Sequence, residues 1–143
     1  MIKPHKTAIK LKPWGREIWF AYTDKYAGKI LEVKKGHRYS LQYHEKKQET
    51  QYILEGKVKF TYGKDLKHLK TIKMKEGDKI DILPGEIHRL EALENSKIIE
   101  VSTPHLMDIV KLSDDYGRTG KGNDPKLDKK LSKLSEKLQK LNK

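Results

Sequence analysis

Cysteine is absent from this 143-residue chain, which excludes disulfide cross-links and thiolate chemistry. Long apolar runs are absent as well, and none approaches the ~20 residues that a membrane-spanning helix requires. The N-terminal segment MIKPHKTAIKLKPWG contains basic residues but no apolar stretch of the kind found in secretory signals. We therefore expect an intracellular protein with a cytoplasmic location. The length predicts a single folded core.

Acidic residues are few relative to basic ones, and the formal net charge is +12. Part of this excess lies in residues 121–143, where eight lysines stand against three acidic residues, a net charge of +5. No aromatic residues are interleaved with the basic ones in the way that base stacking requires. We expect a solvated, lysine-rich surface and neither a nucleic-acid nor a membrane partner. Such a surface still attracts a small anion such as a sugar phosphate or a nucleotide sugar.

Helical patterning is missing before residue 104, whereas short alternating segments recur at even spacing. The aromatic-rich segment 17–22 and the alternating segment 29–33 are typical of strands. At least eight such segments, separated by glycine-containing turns, predict an all-β jelly-roll barrel. Residues 107–112 are expected to add a short turn of helix.

The stretch from Gly36 to Gly56 contains the spacing of a metal site on a β-hairpin. Gln42 and His44 lie two residues apart on an extended strand, so their side chains share a face. Glu49 opens the next strand after a short polar link, and a hairpin can fold it back beside them. His88, which follows a Pro-Gly turn, is the candidate for a fourth ligand. This nitrogen and oxygen donor set suits a divalent ion, with zinc the first choice and manganese, iron, cobalt or nickel as alternatives.

These residues resemble the two motifs of the cupin superfamily. The first motif is matched at Gly36, His44, Glu49 and Gly56, with Gln42 in the first histidine position. The second is matched at Gly77, Gly85 and His88, while Pro84 sits one place late and Ala92 replaces the asparagine.

A narrower resemblance comes from the block RxSLQxH, formed by Arg38, Ser40, Leu41, Gln42 and His44. Together with PWGREIWF, HRLE and DIVKLSDDYGR, it is similar to the C-terminal cupin domain of type II mannose-6-phosphate isomerases. The resemblance covers roughly residues 11 to 118 and independently implies a cupin double-stranded β-helix.

The resemblance implies a metal-dependent aldose–ketose isomerase acting on a sugar phosphate such as mannose 6-phosphate. Arg38 would handle the substrate, and Lys47 stands where the isomerases carry an arginine after three consecutive histidines. Glu45, Lys47 or a metal-bound water would serve as the base that moves the proton. Two alternatives are a non-catalytic cupin that binds a sugar or nucleotide sugar in polysaccharide metabolism and, less favoured, a metal-dependent oxygenase.

Strand alternation also predicts which side chains of the ligand strand face inward. Arg38, Ser40, Gln42 and His44 would share the inner face, and Tyr39, Leu41 and Tyr43 the outer one. An apolar outer face needs a cover, so we expect a homodimer.

The C-terminal part predicts a second unit, with the barrel and its N-terminal arm in residues 1–118 and a basic linker and amphipathic helix in 119–143. Asp124 would cap the helix, with Pro125 at its first position. An apolar seam follows at spacings of three and four residues, formed by Leu127, Leu131, Leu134, Leu138 and Leu141. The seam could lie along its own barrel or pair with a second copy.

Overall fold

A computed structural model describes residues 2–141 of the protein, without the side chain of Leu141. Twelve strands and one helix follow in the order β1 Ala8–Lys12, β2 Gly15–Tyr22, β3 Ala27–Val33, β4 Leu41–Tyr43, β5 Glu49–Glu55, β6 Lys57–Gly63, β7 Lys70–Lys75, β8 Lys79–Ile82, β9 Ile87–Ala92, β10 Ser96–Ser102, β11 Val110–Ser113, β12 Gly120–Lys121 and α1 Pro125–Leu141. No helix among these described residues is both long and apolar enough to cross a bilayer.

The strands form two antiparallel sheets of six. The first sheet has the order β1-β2-β3-β10-β5-β8 and the second the order β12-β11-β4-β9-β6-β7. Because neighbours such as β3 and β10 are far apart in the chain, the connections pass from one sheet to the other. This confirms the predicted jelly roll with a C-terminal helix.

The core lies between the two sheets and is built from the inward side of each strand. Its largest apolar members alternate with more exposed residues along β5, β6 and β10, as one buried face requires. Five of them have no measurable exposure, namely Ile53, Val58, Phe60, Leu90 and Ile98. Their removal from water is the main favourable contribution to folding.

Two segments after residue 104 are strands where the sequence predicted otherwise. The expected turn of helix at 107–112 is wrong, because β11 starts at Val110 and pairs with β4, with Val110 opposite Tyr43. The linker expected after residue 118 contains β12, which pairs with β11 and extends the second sheet. Long-range pairing of this kind leaves no local periodicity to detect.

The helix forms where the sequence placed it, and Asp124 caps it by accepting a hydrogen bond from the backbone N–H of Leu127 at 3.1 Å. It packs against β1. The residues it buries are polar, chiefly Asp128 and Ser132. The leucine seam instead stays in contact with solvent, with Leu127, Leu134 and Leu138 exposed by 37–51%.

The predicted division of faces before β4 is wrong for Tyr39. Only Leu41–Tyr43 form a regular strand, while Arg38 makes an isolated bridge to Glu91, so alternation does not extend back through residues 38–40. Tyr39 turns inward, is 4% exposed, and donates a hydrogen bond to Gln51 at 3.2 Å. The three residues therefore form no continuous outer face.

Candidate metal centre

His44, Glu49 and His88 meet inside the barrel, as the sequence predicted. One donor atom from each lies within 4.8 Å of the other two. Nε2 of His88 is 3.3 Å from one carboxylate oxygen of Glu49, and Nε2 of His44 is 3.7 Å from the other. All three side chains are almost completely buried. His88 thus meets His44 and Glu49, which precede it in the chain by 44 and 39 positions.

Both imidazoles are oriented by backbone carbonyl groups. Nδ1 of His44 lies 2.6 Å from the carbonyl oxygen of Asp108, and Nδ1 of His88 lies 2.9 Å from that of Glu86. A carbonyl only accepts hydrogen bonds, so each Nδ1 carries the hydrogen and each neutral ring presents a lone pair at Nε2. A carbonyl partner of this kind is what orients a metal-binding histidine.

Among the described residues, three inward atoms have no hydrogen bond of good geometry, although the Glu49 oxygen lies 2.8 Å from the ammonium nitrogen of Lys47. They are Nε2 of His44, Nε2 of His88 and one carboxylate oxygen of Glu49. Buried polar atoms are nearly always paired, and two lone pairs directed at a carboxylate repel it. A divalent cation satisfies all three atoms at once, so the donor set fits a metal ion.

Charge states in the site favour metal binding at neutral pH. Burial lowers the pKa of His44 to about 4, so its ring is neutral and available as a ligand. Burial opposes ionisation of Glu49, but Lys47 and the imidazoles of His88 and His44 outweigh it and hold the pKa well below its ordinary value. The carboxylate therefore stays ionised.

Turn geometry holds the two halves of the site together. Gly85, with a φ of 85°, has a backbone conformation that favours glycine, and its N–H donates to the carbonyl of His44 at 2.8 Å. The Pro-Gly turn that precedes His88 is thereby fixed to the strand that carries the other histidine.

Gln42 lies directly opposite His88 across the β4–β9 pair, and directly opposite residues point to the same face. Its side-chain oxygen accepts a hydrogen bond from the hydroxyl of Ser40 at 2.7 Å, and both residues line the cavity beside His44. A metal-ligand role for Gln42 stays a prediction.

Lys47 enters the barrel next to the three donors. Its ammonium nitrogen is 2.8 Å from Glu49 and 3.0 Å from Glu100, and the residue is 4% exposed. Burial lowers the pKa of Lys47, but the carboxylates of Glu100 and Glu49 outweigh burial and raise it above the ordinary value. Lys47 is therefore held as a cation beside the donors, and its role as the base stays a prediction.

Asp108 anchors the loop that presents Lys47. Its carboxylate accepts hydrogen bonds from the backbone N–H groups of Glu45, Lys46 and Lys47 at 2.6–3.0 Å. No local pattern predicts this role, because Asp108 lies more than 60 positions from the loop.

A row of alternating buried charges continues from Lys47 into the barrel. Glu100 lies 4.0 Å from Lys29, which lies 3.2 Å from Glu17. Burial and the charge of Glu49 raise the pKa of Glu100. Burial opposes ionisation of Glu17, but Lys29, Lys12 and the indole of Trp19 lower its pKa to about 2. Glu17, Lys29 and Glu100, unlike Lys47, were not among the predicted site residues.

Two predicted catalytic residues lie outside the cavity. Arg38 forms a two-point ion pair with Asp115, both contacts at 2.7 Å, so the prediction that it shares the inner face is wrong. The cause is the irregular backbone before Leu41. The side chain of Glu45 is 55% exposed and lies 3.7 Å from Lys121 on the surface.

The cavity next to the donors is small and mostly polar. Its volume is about 40 Å³, and Leu106 and Ile109 cover it together with three polar residues of the C-terminal segment, Lys111, Arg118 and Asn123. A volume of this size admits only about three water molecules. A sugar reaches the donors only if these covering side chains move.

Comparisons with known proteins agree with this fold. The family model described as mannose-6-phosphate isomerase C-terminal matches residues 2–114. KdgF from Halomonas sp. superimposes with a TM-score of 0.61 at 18% identity, covering 71% of this chain and 87% of that one. CapF, solved with the inhibitor 3-isopropenyl-tropolone, gives 0.63 at 17%, covering 77% and 35%.

Oxalate decarboxylase from Bacillus subtilis, in a structure concerned with its Mn(II) centres, gives a TM-score of 0.60 at 19% identity, covering 78% of this chain and 29% of that one. The chain thus spans about a third of CapF and of oxalate decarboxylase. At these identities the similarity establishes the fold. A search among curated proteins found no match.

Proposed function

We propose, on the premise that the chain belongs to the mannose-6-phosphate isomerase C-terminal family of cupins, that it is a metal-dependent aldose–ketose isomerase of a sugar phosphate. The observation that carries the proposal is the convergence of two carbonyl-oriented imidazoles and a carboxylate beside a buried lysine. In this arrangement the ammonium group of Lys47, which can stabilise negative charge on a substrate, lies next to the candidate cation site.

His44, Glu49 and His88 would hold the ion, with Gln42 as a fourth ligand. The ion would act as a Lewis acid toward the oxygens of a sugar carbonyl and its neighbouring hydroxyl. Zinc is our first choice and manganese the second, since oxalate decarboxylase holds Mn(II) centres. Elemental analysis of protein purified without added metal decides the identity.

The protein's own residues would stabilise the enediol and move its proton. Lys47, kept protonated by Glu49 and Glu100, supplies a fixed positive charge next to the ligands. Since its two carboxylate partners favour a protonated Lys47 and the side chain of Glu45 lies on the surface, Glu100 is the buried carboxylate best placed to accept the proton. We assign the base role to Glu100 and the electrostatic role to Lys47.

The charge of the cavity wall supports an anionic substrate. Among the described residues, five cations line the cavity, Lys12, Lys29, Lys47, Lys111 and Arg118. Five carboxylates lie within 4 Å of four of these cations: Glu17, Glu49, Glu100, Asp114 and Asp128. These charges balance, so a bound divalent ion leaves an excess of +2. A phosphate dianion would neutralise this excess, which is costly to bury unpaired.

The test is turnover of mannose 6-phosphate and other hexose and pentose phosphates by the metal-loaded protein. His44→Ala should lose both metal and turnover, whereas Lys47→Ala should lose turnover by at least ~100-fold and keep its metal. Lys46→Ala, the exposed neighbour, is the matched control and should behave as the parent. Equal loss of metal in the first two variants would contradict the division of roles.

A non-catalytic sugar-binding cupin is the second candidate, favoured by the small volume of the cavity and by the surface positions of Arg38 and Glu45. Thermal stabilisation of the metal-loaded protein by sugar phosphates or nucleotide sugars, without turnover, would support it. Oxygen uptake by the iron-loaded protein would instead indicate an oxygenase. The cytoplasmic location and the absence of nucleic-acid and membrane partners remain predictions.

A further inference from the structure

Lys111 differs from the other cations of the cavity wall because its contacts are neutral. Its ammonium nitrogen donates hydrogen bonds to the carbonyl oxygen of Gly122 at 2.7 Å and to the side-chain oxygen of Asn123 at 3.0 Å. Among the described residues, each of the other four cations has a carboxylate oxygen within 4 Å, whereas Lys111 has none. The residue is 7% exposed. A buried cation is normally paired with an opposite charge, and Lys111 lacks one.

The uneven distribution of the carboxylates explains this deficit. Two of the five contact Lys47 and two contact Arg118, so the wall is balanced in total but not at each position. Burial and the neighbouring cations Arg118 and Lys12 lower the pKa of Lys111. The surroundings of Lys111 therefore favour the arrival of an anion.

The strand register places Lys111 in one row with the residues of the candidate metal centre. Lys111 lies opposite Gln42, and Gln42 lies opposite His88. Directly opposite residues point to the same face, so Lys111 points inward, and it lines the cavity. Two strand spacings of ~4.8 Å separate its backbone from that of His88 by about 10 Å. Lys47, in contrast, lies 2.8 Å from Glu49.

These two distances correspond to the two ends of a sugar phosphate, whose phosphate group is several bonds away from the reacting carbonyl. We propose that Lys111 recognises the phosphate group of the substrate and so selects phosphorylated over neutral sugars. The inference rests on the proposed function, which directs the reacting oxygens toward the candidate ligands and Lys47. A phosphate dianion supplies the counter-charge that Lys111 lacks, and lysine is a common phosphate-binding residue.

Lys111 also holds the cover of the cavity in place. Its two acceptors, on Gly122 and Asn123, belong to the segment between β12 and α1. A sugar reaches the donors only if covering side chains move, and a movement of this segment takes both acceptors away from Lys111. Phosphate oxygens can replace them, since an ammonium group donates three hydrogen bonds. Binding of the phosphate group is thereby coupled to opening of the cover.

Calorimetric titration of the metal-loaded whole chain with mannose 6-phosphate, mannose and inorganic phosphate tests the proposal. Lys111→Gln removes the charge but keeps an N–H donor for Gly122 or Asn123. It should weaken binding of both phosphorylated ligands by at least ~10-fold and that of mannose by less than ~2-fold, because only a charge-assisted hydrogen bond is lost. Lys111→Met is a second neutral replacement with the same expectation, and Lys111→Arg keeps the charge and should retain most of the preference.

Two further variants separate recognition of phosphate from support of the cover. Lys121→Gln, on the neighbouring strand β12 and with an 80% exposed side chain, is the matched control and should bind all three ligands as the parent does. Asn123→Ala removes one neutral acceptor but retains the cation, so the preference for phosphate should persist. Lys111→Gln should also keep its metal and its free energy of unfolding, because it removes a buried charge without a counter-ion. A role in support alone would instead lower stability and weaken all three ligands equally.

The proposal is overturned if the parent binds mannose 6-phosphate no more tightly than mannose, or if Lys111→Gln retains the preference. An equal loss of the preference in Asn123→Ala would overturn it as well. All three results are independent of turnover. A parent that binds mannose 6-phosphate through Lys111 without isomerising it would contradict the proposed reaction and support this assignment.

Discussion

The two ends of the barrel interior are built by the same strands and differ in almost every chemical respect. Along β5 the inward residues are Glu49 and Gln51, followed by Ile53. Along β3 they are Lys29, followed by Leu31 and Val33. The register places these changes at one level, with Gln51 and Lys29 both opposite Glu100, and Ile53 and Leu31 both opposite Ile98.

This comparison separates what folds the barrel from what the barrel does. The apolar end excludes water and supplies the favourable burial. The polar end buries carboxylates and ammonium groups, whose desolvation cancels much of their attraction. The apolar end is therefore explained by stability, whereas the charges at the polar end are accounted for only if they serve the proposed ion and ligand. Four predictions test this division.

The largest expected effect comes from the apolar end. Ile53→Ala removes buried methyl and methylene groups and should lower the free energy of unfolding by about 2–5 kcal/mol. Because Ile53 lies one step beyond Gln51 on the same inward face, the folded variant should still bind one metal ion per chain. Urea unfolding with metal analysis measures both. Ile53→Val is the graded control, with an expected loss of about 1 kcal/mol. Loss of metal from the folded alanine variant would show that the two ends are not separate.

Acid should affect the polar end next. Glu17 has a pKa of about 2 in the folded protein against an ordinary value of 4.5. A lowered carboxyl pKa contributes stability that is complete above pH 4.5 and is lost as the pH falls toward 2, in total about 3 kcal/mol. The stability of Glu17→Gln should fall less steeply over this range than that of the parent.

The surface variant Glu94→Gln should retain the full slope in the same measurement. If Glu17→Gln and the parent lose stability in parallel, the ion pair between Glu17 and Lys29 does not contribute in the way that its burial indicates.

The sequence predicted the fold and the convergence of His44, Glu49 and His88 because both depend on local regularity. His44, Glu49 and His88 each lie on a strand or next to a turn, at a fixed spacing from glycines that can be recognised in the sequence. Arg38 was placed wrongly because the alternation argument needs an extended backbone, and the backbone before Leu41 is irregular. No local pattern reveals a departure of this kind.

The buried charge row was missed for a different reason. Glu17, Lys29 and Glu100 become neighbours of one another, and of the predicted Lys47 in the loop before β5, only through the strand order β2-β3-β10-β5, which the sequence does not state. One signal was present. Lys29 continues the inward alternation of Leu31 and Val33, and Glu100 continues that of Ile98, so a charged residue in phase with a buried apolar face marks a polar interior.

A metal ion bound at the polar end should stabilise the folded protein by an amount that depends on the free ion concentration relative to its dissociation constant. A divalent ion at 100 times its dissociation constant adds about 2.7 kcal/mol to the free energy of unfolding. His88→Ala should abolish the rise in melting temperature on adding zinc or manganese to chelator-treated protein, while Ile53→Val should retain it in full. A rise that persists in His88→Ala would place the ion elsewhere.

The smallest effect concerns the boundary residue, Gln51. Its amide accepts a hydrogen bond from Tyr39 at 3.2 Å and donates to Glu49 at 3.0 Å and to Glu100 at 3.5 Å. Gln51→Leu extends the apolar end by one layer at similar volume, but it leaves the Tyr39 hydroxyl and two carboxylates with fewer partners. We expect a loss of about 1–2 kcal/mol in the free energy of unfolding of the metal-free protein, measured by urea unfolding.

Thr50→Ala, on the outward side, is the control and should change stability by less than about 0.5 kcal/mol. A gain in stability from Gln51→Leu would mean that an apolar side chain packs better than glutamine at this position. The change from polar to apolar residues between Gln51 and Ile53 would then be explained by the proposed ion and its ligand and not by the stability of the fold.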